Sequence, residues 1–531
     1  MTATVVDVGD DLPLTVGRLL KERTGPYGDQ ALLVCDEDTL SYARADEQSA
    51  EAAKGLLALG AGPGTHVGLL HPNGPEFVVG WLAIARIGAV AVPLSTFSTG
   101  TELATLLKNA DVEILLSTHS FRGHNYVDDL REALPETDLE SSPFFALSVP
   151  SLRHVYFDLQ ALYVEGAEIG DDLLASAEAA IAPSDRMVIV YTSGSTSEPK
   201  GVIHQHGPLI RHIDNLNELR RYGNKEILFS NSPFFWIGGF AYGLLGTMLA
   251  GATLVCSVSP DPAVTLDLLE RTRPTMVNGF AASVAHLAKD PSFGGRDLSS
   301  IRRGNLWPIM PADVAPADPD LRHNMLGMTE AGSVCLATGD ESDQPEHRRG
   351  SFGQPVPGFE TMLVDPESEN DCDVGEIGEL WLRGPFLMEG YYGRERHETF
   401  TPDGWYRTGD LFHVDAEGFH YFHGRRGDMI KTAGANVAPR EVEAAILDET
   451  GLIAHVIGLD DEQRGQAVAV ALRVPRGTET PDVEDLRQRL RRRLSAYKVP
   501  RRFLVLADED VPMLSSGKLD TRALRELFDD E

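Results

Sequence analysis

The sequence predicts an α/β protein: a large N-terminal domain of αβ-layered subdomains, followed by a small α+β C-terminal domain. Two observations carry this. Short apolar runs alternate with amphipathic stretches of helical spacing, the pattern of βαβ units and mostly parallel sheets. Far downstream, the polar, glycine-bracketed segment Gly424 to Asp428 reads as a linker, which places the domains at 1–424 and 425–531. With 531 residues the chain is long enough to bury several folding units.

The elements follow in order. His66 to Leu70 is an apolar strand, Pro75 to Ile87 an amphipathic helix, and Ala89 to Pro93 the next strand. Met187 to Val190 is a buried strand that opens into a loop of small residues. Asn231 to Pro260 carries no charge and invites a membrane reading, but glycines at 238, 239, 243, 246 and 251 argue against it. There Phe240 to Leu249 reads as a buried helix and Ala252 to Val258 as a buried strand, with β-branched Thr253 and Val255 favouring the strand. Asp415 to Gly418 is a hairpin turn between His413 and the strand Phe419 to Phe422. Val483, Leu486, Leu490 and Leu494 recur at helical spacing beside a basic cluster of Arg487, Arg489, Arg491, Arg492, Arg493, Lys498, Arg501 and Arg502. That cluster reads first as a solvated helix face and second as a dock for anionic groups.

A net charge of −33 and a pI near 4.8 exclude nucleic acid as a partner, since such a surface repels its phosphates. The cysteines, Cys35, Cys256, Cys335 and Cys372, form no CxxC, so no metal-site spacing exists and a reduced cytoplasm is the expected setting. Met1 to Asp11 has no basic region, so no signal peptide is expected.

The most telling run is Tyr191-Thr192-Ser193-Gly194-Ser195-Thr196-Ser197-Glu198-Pro199-Lys200-Gly201. It leaves the end of a buried strand, where open α/β sheets hold ligands. Small hydroxyl residues, glycine amides and a lysine suit it to wrapping a polyphosphate, although it is not a Walker A loop. Downstream come Gly327-Met328-Thr329-Glu330, Tyr406-Arg407-Thr408-Gly409-Asp410-Leu411, Gly424-Arg425-Arg426-Gly427-Asp428-Met429-Ile430-Lys431 and Ser516-Gly517-Lys518. In order and spacing these motifs resemble the core motifs of the adenylate-forming superfamily, the acyl- and aryl-CoA synthetases, luciferases and peptide-synthetase adenylation domains.

The resemblance implies an ATP-dependent ligase that activates a carboxylic acid as acyl-AMP and then forms the CoA thioester. It implies ATP and Mg²⁺ as cofactors, coenzyme A as co-substrate, and a small-molecule acid as substrate. Thr192 to Thr196, Lys200, Gly327, Met328 and Thr329 would hold the nucleotide, with Thr196 also catalytic. Glu330 and Thr192 would hold Mg²⁺. Asp410 would accept the ribose hydroxyls and Arg425 would lie beside the nucleotide. Lys518 would neutralise charge as the adenylate forms, whereas Lys431 and Gly434 would face the site during thioester formation. The small domain would rotate about Gly427, near 425–428.

Three departures stand out. Leu326 replaces the usual aromatic before Gly327, Leu306 to Pro311 replace the usual Gly-Gly-Ala-Pro, and Trp236 stands where many relatives have histidine. Phe235, Trp236, Gly238 and Gly239 are expected to line the acyl pocket, and no lysine or arginine falls in that segment. An apolar monocarboxylate is therefore the expected substrate, fatty, aromatic or alicyclic. Transfer to a carrier protein, or a non-catalytic nucleotide-binding role, are the alternatives; Lys518 speaks against the last. Oligomerisation stays open.

Overall fold

The structure is a computed structural model and describes residues 12–529 except 136, 140, 193–198, 428–429, 433–434, 438, 462–464, 479, 495–497 and 515–517. The chain divides into two compact units, Met1–Glu360 with Arg383–Gly404, and Thr361–Leu382 with Trp405–Glu531.

The first unit is built on two mostly parallel sheets. One has seven strands, in the order Gly390–Tyr391, Lys200–Gln205, Arg186–Thr192, Val90–Pro93, His66–Leu70, Ile114–Ser117 and His154–Tyr156. The other has six, in the order Arg303–Gly304, Met276–Asn278, Ile227–Ser230, Thr253–Cys256, Ala31–Cys35 and Asp38–Ser41. Strands His66–Leu70 and Val90–Pro93 are buried along their whole length, as their unbroken apolar runs require. Helix Pro75–Arg86 is apolar on nearly every side and correspondingly buried. Its Phe77 meets Phe234 at 5.4 Å and its Trp81 meets Phe240 at 5.0 Å between ring centroids. Each such buried ring contributes roughly 1.5–3 kcal/mol.

The uncharged stretch folds as expected in type, with two refinements. Its helix starts earlier, as a π-helix over Gly238–Leu245 that continues as α-helix Gly246–Ala250. Its strand is shorter, Thr253–Cys256, because Ser257 turns to bond Asp36. Among the described residues no helix is long and apolar enough to cross a membrane. Cys35 and Cys256, distant in sequence, are register partners on adjacent strands, and both are buried free thiols.

The second unit contains an antiparallel sheet in the order Glu360–Val364, Gly378–Arg383, Tyr406–Val414, His420–Arg425. The hairpin turn sits where expected: Asp415 Oδ1 accepts from the N–H groups of Glu417 and Phe419, both at 2.9 Å. Strand pairing continues to Gly424 and Arg425, opposite Leu411 and Asp410, so the expected linker begins inside a strand. Packing thus groups this hairpin with the C-terminal residues, upstream of the 424/425 boundary. A second sheet follows, with Arg502–Ala507 parallel to Gly465–Val474, alongside helices Pro439–Thr450 and Val483–Arg493. The latter helix buries Leu486 and Leu490, as its periodicity demands. Part of the basic cluster is paired within the chain, whereas Arg491, Arg492, Arg501 and Arg502 are exposed. Arg487 pairs with Glu484, Arg489 with Glu449 and Asp485, Arg493 with Asp448 and Glu449, and Lys498 with Glu441.

Candidate active site

In the first unit, strand Arg186–Thr192 runs antiparallel to Lys200–Gln205, and Thr192 is the register partner of Lys200. The glycine- and hydroxyl-rich loop therefore leaves and re-enters the sheet at one place. Ser193, Gly194, Ser195 and Thr196 themselves lie outside the described residues. Edge strand Gly390–Tyr391 pairs next to Lys200–Gln205, which sets Tyr391 opposite Val202. The Lys200 ammonium lies 5.2 Å from the centroid of the Tyr391 ring, and the Tyr391 hydroxyl donates to Glu330 Oε1 at 2.8 Å. One tyrosine thus joins the lysine of the loop to the carboxylate of a distant motif. The motif search did not find Tyr391, although the flanking Gly390-Tyr391-Tyr392-Gly393 is a compositional signal.

Glu330 sits in the single 3₁₀ turn Thr329–Ala331 after strand Leu326–Met328. Gly332 ends that turn at φ 69°, a conformation that favours glycine. His204 Nε2 approaches the Thr329 carbonyl to 2.7 Å, and the Met388 N–H donates to the Glu330 carbonyl at 2.9 Å. Burial pushes the pKa of His204 down to about 4, so the neutral ring donates its Nε2–H to that carbonyl. His212, also fully buried, is pushed to about 3 and stacks on Phe386 at 5.5 Å. Gly327 is exposed and Met328 partly so, on a strand paired with Ser333 and Val334.

The acyl-pocket segment is folded by a residue that the motif reading missed. Asn73 accepts the Phe234 N–H at 2.8 Å and donates to the Ser232 carbonyl at 2.9 Å. A Cβ on Gly239 would stand 2.1 Å from the Pro233 carbonyl oxygen, so only glycine fits this turn. Gly238 has open space around it. Phe235 is buried and Trp236 half-buried, their rings 5.5 Å apart, and Phe97 meets both. No cation lies within the segment, yet Arg220 packs against it from outside. Its guanidinium lies 3.9 Å from the Tyr242 ring and donates to the Tyr242 carbonyl at 2.8 Å. π-Helical turns recur at functional sites, and this cation satisfies one of the carbonyls.

The second unit carries the remaining residues. Asp410 is buried on a strand, not on a turn, and its Oδ1 accepts from Arg425 Nε at 2.8 Å. Arg425, expected beside the nucleotide, is thus the partner of the expected ribose-binding carboxylate. Gly427 lies in a turn, and among the described residues nothing stands within 4 Å of where its Cβ would be. Lys431 is on strand Ile430–Thr432 opposite Asn436, whereas Gly434 lies outside the described residues. Lys518 is exposed, and its carbonyl accepts the Leu514 N–H at 2.7 Å, which pins the base of its loop.

Comparison with known proteins bears on the chain as a whole. The family model described as AMP-binding enzyme matches residues 20–392, and that of the AMP-binding enzyme C-terminal domain matches 441–518. The chain is 29% identical to a putative acyl-CoA synthetase, YngI, of Bacillus subtilis over 96% of both chains. It is 30% identical to a feruloyl-CoA synthase of an Amycolatopsis species, covering 92% of this chain and 94% of that one. Among solved structures it resembles the anthranilate CoA ligase AuaEII in complex with anthranoyl-AMP, with a TM-score of 0.78, 22% identity, and 97% and 98% of the two chains covered. It also resembles an ATP-bound RpMatB-BxBclM chimera, with a TM-score of 0.82 at 23% identity over 98% and 99%. Matched by both family models and by relatives over nearly its whole length, the chain belongs to the AMP-binding enzyme family as an AMP-forming acyl-CoA ligase.

Proposed function

We propose that this ligase activates an apolar monocarboxylic acid, fatty, aromatic or alicyclic, and that the residues named above divide two half-reactions between them. In the first, a carboxylate oxygen of the acid attacks the α-phosphorus of ATP, and pyrophosphate leaves. In the second, the CoA sulfur attacks the acyl carbon, the thiol proton goes to solvent, and AMP leaves. Both displacements depend on positioning and charge neutralisation rather than covalent help from the protein. The observation that carries this reading is the contact of Lys200 and Glu330 with one tyrosine, which gathers a cation and an anion at the mouth of the polyphosphate loop.

Tyr391 holds Glu330 Oε1, and Glu330 Oε2 and the Thr192 hydroxyl are oxygen donors of the kind that a hard divalent cation takes. Mg²⁺ bound there would offset phosphate charge. Asp410, oriented by Arg425, would accept the ribose hydroxyls. Lys518 would serve the first half-reaction, and the Lys431 and Gly434 region the second, after rotation of a domain that begins near 425. The four free cysteines are consistent with a reducing, cytoplasmic setting.

The division of labour is testable. Lys518→Ala should lower acyl-AMP formation by about two or more orders of magnitude, the scale for losing a charge-stabilising donor. It should still convert supplied acyl-AMP to acyl-CoA, read by mass spectrometry with a mixed acid panel. Equal losses in both half-reactions would refute the assignment.

A further inference from the structure

The strand that begins with Lys200 sends a second polar side chain toward the turn that carries Glu330. Side chains alternate along Lys200–Gln205, so Lys200, Val202 and His204 share one face, while Ile203 on the other joins the cluster of Ile189, Val90 and Val92. Tyr391 is the register partner of Val202, and directly opposed residues project from the same face. On that face the Lys200 ammonium meets the Tyr391 ring and the Tyr391 hydroxyl meets Glu330. His204 is presented to the same turn, about 13 Å further along the strand than Lys200.

There it is buried, and its Nε2 lies 2.7 Å from the Thr329 carbonyl oxygen. The hydrogen bond that closes the turn runs from the Gly332 N–H to that same carbonyl, at 2.9 Å, so one oxygen serves both the turn and the imidazole. Gly332 also lies against the ring: a Cβ there would stand 3.4 Å from His204 Cε1. The next carbonyl, of Glu330, accepts the Met388 N–H at 2.9 Å, and Glu330 Oε1 accepts the Tyr391 hydroxyl at 2.8 Å. The backbone on either side of the carboxylate is thus fixed from outside the turn, on one side by His204.

We propose that His204 is a positioning residue for adenylation: through the Thr329 carbonyl it fixes the turn that carries Glu330, and so sets that carboxylate relative to Lys200 of its own strand. This rests on the ligase reading above, in which Glu330 and Lys200 serve the polyphosphate, and adds to it a residue outside the motifs. A histidine that only fills the core is replaceable by an apolar side chain of similar volume. One that orients a reacting group is replaceable only by a side chain that keeps its donor, because a misplacement of about 1 Å can lower a rate about a hundredfold.

The test is a double-variant cycle at His204 and Glu330, with pyrophosphate exchange reading the first half-reaction. His204→Leu removes the donor at similar size and should lower kcat for exchange at least about tenfold, with KM for the acid unchanged. It should also weaken ATP binding in the presence of Mg²⁺, measured by calorimetry, while supplied acyl-AMP is still converted to acyl-CoA at the wild-type rate. His204→Gln, whose amide nitrogen reaches the place of Nε2, should restore exchange to within about twofold of wild type. In a Glu330→Gln background His204→Leu should cost exchange nothing further, because the two act as one unit. If His204→Leu does not fold, His204→Asn, polar but too short to reach the carbonyl, takes its place in the cycle. Wild-type exchange and ATP binding in His204→Leu, a Gln variant as impaired as the Leu variant, or losses that multiply in the double variant would each overturn the proposal and leave the ligase reading intact. Wild-type exchange in Glu330→Gln would remove the assigned role of Glu330 and the proposal with it. No exchange by the wild-type enzyme with any acid of a broad panel would instead overturn the ligase reading as well.

Discussion

Tyr391 joins Lys200 and Glu330 in the candidate site. Its hydroxyl fixes one oxygen of Glu330 and its ring faces the Lys200 ammonium, so the two functions can be separated. Tyr391→Phe keeps the ring and removes the donor, and should lower the adenylation kcat about tenfold, a usual value for a hydrogen bond to a charged group. Pyrophosphate exchange would measure it, with little change expected in KM for the acid. Thr192, Lys200 and Glu330 were legible in the sequence as candidates because they stand in ordered local motifs. Tyr391, His204 and Asn73 were not. Their roles arise from pairings between strands distant in sequence, such as Val202 with Tyr391, and no local pattern announces such a pairing.

At the scale of elements, the turn that leads into the π-helix depends on one small residue. Gly239→Ala would push a Cβ into the Pro233 carbonyl, and the backbone cannot yield as a flexible side chain could. Overpacking of this kind costs about 1–3 kcal/mol. The expected result is a lower Tm together with a raised KM for the acid, and KM for ATP little changed; an unaltered KM for the acid would detach this turn from the pocket. The sequence revealed the helix but not its widened pitch, because a π-turn has no periodicity of its own over so few residues. A second element-scale prediction concerns the segment after strand His420–Arg425. Among the described residues nothing crowds a Cβ at Gly427, and the proposed pivot would use the conformational freedom of a glycine there. Gly427→Pro fixes φ near −65° and should retain pyrophosphate exchange while thioester formation collapses. Full rates in both half-reactions would place the pivot elsewhere.

At the scale of the molecule, buried histidines set the response to acid. Burial pulls His71, His204 and His206 down to about 4 and His212 to about 3. In the unfolded chain the same rings take up protons near 6.5. Between those values the unfolded state binds more protons, so stability present above pH 6.5 is lost as pH falls toward 4. Thermal unfolding followed from pH 8 to 4.5 should show a nearly constant Tm at the alkaline end and a progressive fall below 6.5. A Tm that rose on acidification through that window would contradict the neutral burial of these rings. The mostly parallel sheets of the first unit were readable from apolar runs such as His66 to Leu70. The division of the chain was harder to read, because composition marks polar segments whereas compactness follows strand pairing, which here carries on through Gly424 and Arg425.

The edge of the seven-stranded sheet has a further consequence, for solubility. An exposed sheet edge invites another chain to add a strand, and proteins blunt it with short strands and charge. Here the outermost strand is only Gly390–Tyr391, and Arg396 turns back to donate to the Glu389 carbonyl. Glu389 itself is paired with Arg186. Two residues offer too short a ladder for intermolecular strand addition, so the strand that orients Glu330 also protects the sheet from aggregation.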